Sequence, residues 1–201
     1  MAKDIENTSL ELIFDIAEAF LDQFFDKGLL QDLPVIGTIY KSARLLKSIP
    51  DRIFLAKLFR FVKAIEMITL AERDAFRERL EKDPKTLQRL GDAIVLVIDK
   101  LDDMEKPELF GKAFRAYVRG AITYEQLRRL GAAIDASLIS DLQQFGSLTT
   151  LAEQSLLEHL AGTGLTRPST TSLTETGSHV FNRIETTETG ELFQKLYRDK
   201  I

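Results

Sequence analysis

The stretch Asp83-Pro84-Lys85-Thr86-Leu87-Gln88-Arg89-Leu90-Gly91-Asp92-Ala93-Ile94-Val95-Leu96-Val97-Ile98-Asp99-Lys100-Leu101 decides the fold. Asp83 before Pro84 is an N-cap with proline at the first helical position, where the ring's fixed φ suits a helix and the missing N–H is no loss. Leu87, Leu90, Ile94, Val95, Val97, Ile98 and Leu101 then recur at helical spacing and cover much of the circumference. A helix apolar over so wide an arc is expected at the centre of a bundle.

Working outward, the same punctuation marks further helices. Thr69 with Glu72 is a capping box opening a helix to about Lys82. Downstream, Pro107 to Arg119 forms a helix stopped by Gly120, and Thr123 with Gln126 opens another to about Ser137. Leu138 to Phe145 closes this series. Upstream, Leu10, Ile13, Phe14, Ala17, Phe20, Leu21 and Phe24 follow three- and four-residue steps from Thr8 to about Leu30. A second helix restarts at Asp32-Leu33-Pro34, and a third runs from Pro50 to about Met67 with Phe54, Leu58, Phe61 and Ile65 inward. Pro50 breaks or kinks the path between them.

Charge is segregated along these first helices. Asp4, Glu6, Glu11, Asp15, Glu18, Asp22, Asp26 and Asp32 make the start acidic, whereas Lys41, Arg44, Lys47, Arg52, Lys57, Arg60 and Lys63 follow with only Asp51 among them. The contrast has two uses. It is either an intramolecular match between antiparallel neighbours or a basic docking face carried by Lys41, Arg44, Lys47, Lys57 and Arg60. Cations alternating with apolar residues over 34–61 are also the composition of a segment lying on an anionic membrane.

The 201 residues, 44% hydrophobic and 29% charged, suffice for a sizeable core, and the net charge of -4 argues against a surface that binds nucleic acid throughout. Zero cysteines exclude disulfides, thiolate metal sites and a cysteine nucleophile. The start lacks the basic and apolar regions of a secretory signal, and the apolar runs at 33–40 and 93–98 are too short to span a bilayer, so a cytoplasmic location is expected.

Beyond Gly146-Ser147 the composition turns toward threonine, serine and glycine. This places a boundary there, with a helical bundle over 1–146 and a smaller element over 147–201. Thr150 to Ala161 is expected as a helix, Arg167-Pro168-Ser169-Thr170-Thr171 as a loop, and Thr189 to Lys200 as a closing helix with Leu192, Phe193, Leu196 and Tyr197 inward. The run Leu156-Leu157-Glu158-His159-Leu160, Gly164-Leu165, then Thr171-Ser172-Leu173-Thr174-Glu175-Thr176-Gly177 resembles the second half of a winged-helix domain, over about the last quarter of the chain. The resemblance implies a short hairpin as the wing, a Leu-Thr-x-x-Gly phrase opening the last helix, and either nucleic-acid binding or dimerisation. The 150–161 helix departs from a DNA-reading version, since it carries Glu153 and Glu158 and no Lys or Arg. Arg167 and Arg183 are the cations placed to reach nucleic acid. The remainder resembles uncharacterised bacterial helical proteins, which brings no activity with it.

Catalytic signals are missing. Asp99, Asp102, Asp103 and Glu105 cluster, but a magnesium–diphosphate site needs a second acidic cluster, and a solvated helix end is the expected role. His159 and His179 have no ligand-like spacing. No phosphate-binding loop, nucleophile elbow or zinc-protease motif occurs. The expectation is therefore a mainly α protein, a helical bundle with a small winged-helix-like C-terminal element containing a short β-hairpin. It is expected to be a non-enzymatic regulatory protein, without cofactor, that docks a protein partner or a second copy of itself. A membrane-surface effector is the first alternative and a winged-helix DNA binder the second.

Overall fold

In the computed structural model, which describes residues 16, 17, 19–21, 23, 49–148, 154–172 and 180–201, Pro50 sits in the first turn of a helix, α1 (Ile49–Ile65), where a proline is tolerated. The helix α2 (Leu70–Glu81) follows a complete capping box: the Thr69 hydroxyl accepts the Glu72 amide at 3.3 Å and the Thr69 amide donates to the Glu72 carboxylate at 2.7 Å. That second bond, with the Thr69 hydroxyl and Arg119 adding to it against the opposing effect of burial, holds the Glu72 carboxyl below its ordinary value. The helix α3 (Pro84–Lys100) starts where the Asp83 side chain accepts the Thr86 amide. Then come α4 (Lys106–Val118) and α5 (Tyr124–Ala136), the latter with both halves of the Thr123/Gln126 box, and α6 (Ile139–Ser147). The helices α2, α3 and α5 start at the positions that their caps dictate, whereas α4 and α6 begin without a side-chain cap.

The centre of the bundle is α4 rather than α3. Phe110, Gly111, Ala113, Phe114, Ala116 and Val118 are buried on it, and α1, α2, α5 and the last helix all pack against it. Small residues make this possible: a β-carbon added to Gly111 would lie 2.6 Å from Ala64 Cβ and 2.9 Å from Phe61 O, so α1 and α4 cross with their backbones nearly touching. Around the crossing, Phe61 meets Phe110 at 5.6 Å and Phe114 at 5.5 Å, and Phe76 stands edge-on to Phe114 at 6.0 Å. By contrast α3 buries one stripe, Leu90, Ile94 and Ile98, while Leu96 is 59% exposed. Its apolar arc is wide, but only one part of it is covered.

The acidic first helix is described at a few positions. Residues 16, 17, 19–21 and 23 are helical, Ala17 and Leu21 are buried, and Phe20 lies edge-on to Phe59 of α1 at 4.8 Å. The expected second helix, with Lys41, Arg44 and Lys47, lies outside the described residues.

After α7 (Gln154–His159), the segment expected as a loop at 167–171 is a strand. β1 (Thr166–Ser172) pairs antiparallel with β2 (Val180–Thr186), from Thr166 opposite Thr186 to Ser172 opposite Val180. Period-two patterning explains it: Thr166 is buried and Ile184 packs on the core, while Arg167 and Arg183 face outward. Pro168 is admitted because both strands of a two-stranded sheet are edges. The last helix, α8 (Glu188–Tyr197), begins at Thr187, whose hydroxyl accepts the Gly190 amide at 3.1 Å and donates to Gly164 O at 2.7 Å. The Thr-x-x-Gly phrase that opens a helix is thus Thr187 to Gly190. The earlier one, 174–177, lies outside the described residues.

The composition change at Gly146-Ser147 falls at the end of α6, beside a packed contact. Gly146 lies under the Tyr197 ring, Phe145 stacks on Phe193 at 6.2 Å, and Leu156, Leu160, Leu165 and Leu196 join the same apolar cluster as α1 to α6. Among the described residues no helix is long and apolar enough to cross a membrane.

Candidate functional site

The last carbonyls of a helix lack intrahelical partners and carry the negative end of its dipole, so they attract cations. This chain uses its cations there repeatedly, across elements. Lys57 of α1 donates to Asp99 O at the end of α3, 2.8 Å away, and Arg79 of α2 donates to Tyr117 O and Val118 O at the end of α4, at 3.1 and 2.5 Å. Lys106 reaches Asp135 O at the end of α5, 3.0 Å away, and Arg115 reaches Ala64 O at the end of α1, 3.4 Å away. Lys112 reaches Tyr197 O at the end of α8, and Arg198 reaches Leu148 O just past α6. Lys106 is 1% exposed and completes its shell with Asp102 at 2.5 Å. That hydrogen bond, and the charge behind it, holds the Asp102 carboxyl below its ordinary value against the opposing effect of burial. Arg115 and Lys112 also share the Asp199 carboxylate, which tethers the C-terminus to the bundle.

These clamps decide where several sequence-expected residues stand. Lys57, expected at a docking face, is engaged inside the molecule as a helix cap. Arg60 is half-buried and meets no ion-pair partner among the described residues. The apolar side of 49–61, which a membrane-surface reading needs outside, carries Leu58 and Phe61 fully buried. Arg167 and Arg183 share the outer face of the hairpin, but Arg167 is held by Glu185 at 2.8 and 2.9 Å, a contact that also lowers the Glu185 carboxyl. Among Asp99, Asp102, Asp103 and Glu105, Asp102 holds Lys106, Asp103 accepts the Glu105 amide and Glu105 accepts Gln143. No group of three or more metal-ligating side chains occurs among the described residues. His159 sits 3.9 Å from Asp141, and His179 lies outside the described residues.

A concave surface lies elsewhere, between α3 and α5. The Tyr124 hydroxyl is 3.5 Å from Arg89 O near the start of both helices, and further along a β-carbon on Gly131 would meet Val97 Cγ2 at 3.3 Å and Phe110 Cε2 at 3.1 Å. The two helices therefore run in the same direction. Between them is an open groove of about 440 Å³ with Ala93, Leu96, Val97 and Ala132 in its lining and Arg89, Lys100 and Arg128 among its charged groups. Sequence reasoning missed it because Leu96 blends into the apolar run of α3 and the three cations belong to no charge block. The one legible signal was the excess width of the apolar arc on α3. Comparisons with protein-family models, with curated proteins and with solved structures find no match.

Proposed function

We propose that this chain is a non-enzymatic cytoplasmic interaction protein, and that it docks a protein partner in the groove between α3 and α5. The observation that supports this is Leu96. It is a large aliphatic side chain 59% exposed in the middle of a regular helix, at the rim of a concave surface, while the neighbouring stripe of the same helix is dry. Covering it on docking would contribute about 1 kcal/mol, and the small residues beside it, Ala93 and Ala132, let a partner helix approach closely. The basic face of α1 is the weaker candidate because Lys57 already closes α3.

Affinity purification with wild type, Leu96→Arg and Lys57→Glu/Arg60→Glu chains separates the two surfaces. The partner held by wild type is expected to be lost at least about tenfold with Leu96→Arg and retained by the double variant. Retention by Leu96→Arg with loss in the double variant would move the docking surface to α1.

A further inference from the structure

The groove lining carries three cations, Arg89, Lys100 and Arg128, against two carboxylates, Asp92 and Asp135. Arg89 and Arg128 stand near the end where α3 and α5 begin, Lys100 stands where α3 closes, and Asp92 and Asp135 are the carboxylates facing them. Of the carboxylates nearby along the chain, Asp83 accepts from the Thr86 amide and hydroxyl and also interacts with the Arg89 charge, Glu125 pairs with Arg129, and Asp99 adjoins Lys100. Arg89, Lys100 and Arg128 make no ion pair within 4.0 Å among the described residues, and Asp92 lies one turn along α3 from Arg89. Elsewhere in the bundle Lys106, Lys112, Arg115 and Arg119 all hold carboxylates.

Resting on the docking reading above, we infer that the occupant is an amphipathic helix of a partner protein, with an apolar stripe over Leu96 and Ala132 and carboxylates against Arg89 and Arg128. Arginine suits this role, since its planar fork holds a carboxylate through two parallel N–H bonds. From Arg89 to Lys100 the groove offers about 16 Å, three turns of such a helix. The carboxylates fix which helix binds and in which direction, and the apolar stripe supplies contact area.

Three stapled helical peptides with one apolar stripe and flanks of glutamate, glutamine or lysine test this by titration against the full chain. The glutamate peptide is expected to bind at least about tenfold tighter than the lysine peptide at low salt, with the gap closing as salt rises. Arg89→Glu/Arg128→Glu is expected to reverse that order. Equal binding of all three peptides, abolished by Leu96→Arg, would overturn the acidic partner and leave the groove as the docking site. Binding indifferent to Leu96→Arg, or no binding at all, would overturn both. Self-association of the chain alone, lost in the double variant, would place a second copy in the groove and overturn the partner assignment.

Discussion

Phe114→Ala is expected to lower folding stability by roughly 3–5 kcal/mol. Phe114 is fully buried on the central helix and touches the rings of Phe61, Phe76 and Tyr117, so its ring is shared by α1, α2 and α4. Truncation removes the ring's transfer free energy and leaves a cavity that these neighbours cannot close, because the α1–α4 crossing at Gly111 is already at backbone contact. Single domains are stable by only about 5–15 kcal/mol, so the loss is a large part of the whole. Urea unfolding should show the midpoint fall by about 2 M at a slope of roughly 2 kcal/mol/M. A loss under about 1 kcal/mol would mean that the three helices do not meet at this ring.

Gly190→Ala is expected to destabilise by about 1–3 kcal/mol even though alanine is the better helix former by about 1 kcal/mol. Gly190 lies in the first turn of α8, and an added β-carbon would meet the Leu165 carbonyl oxygen and, at 2.7 Å, Thr186 Cγ2. The backbone oxygen cannot swing aside as a side chain would. It also accepts the Thr187 amide at 2.9 Å and the Thr187 hydroxyl at 3.1 Å, so displacing it loosens the joint between the hairpin and α8. The variant should melt about 2–8 °C lower, and its Thr187 amide should exchange faster than in wild type. An unchanged or raised melting temperature would show that α8 stands farther from residue 165.

Local chemistry was legible in the sequence. Capping boxes at Thr69/Glu72 and Thr123/Gln126 and the Asp83-Pro84 start need only residues three apart, and all formed. Gly120 ends α4 as expected: its φ of 75° is one that glycine adopts freely, and the Gly120 and Ala121 amides close back on Tyr117 O and Ala116 O at 3.0 and 2.9 Å. The long-range choices were not legible. A central helix with Gly111, Ala113 and Ala116 in it and punctuated by Lys106, Lys112 and Arg115 looks less apolar than α3, although those cations are turned inward onto carbonyls of other helices. The strand β1 was hidden because Ser-Thr repeats and Pro168 read as loop until β2 supplies the pairing. The groove depends on the two helices running parallel, and Arg89 and Arg128 come to one surface only across that contact.

The docking proposal depends on one division: some cations are locked onto helix ends, and those of the groove make no close ion pair among the described residues. Time-resolved acylation of the native chain with an amine-reactive reagent, read lysine by lysine by mass spectrometry, tests that division most directly. Lys100, exposed at the groove, is expected to react at the rate of a free amine, while Lys106, 1% exposed and bonded to Asp102 and Asp135, should stay unmodified until the protein unfolds. Equal rates at the two positions would contradict the account.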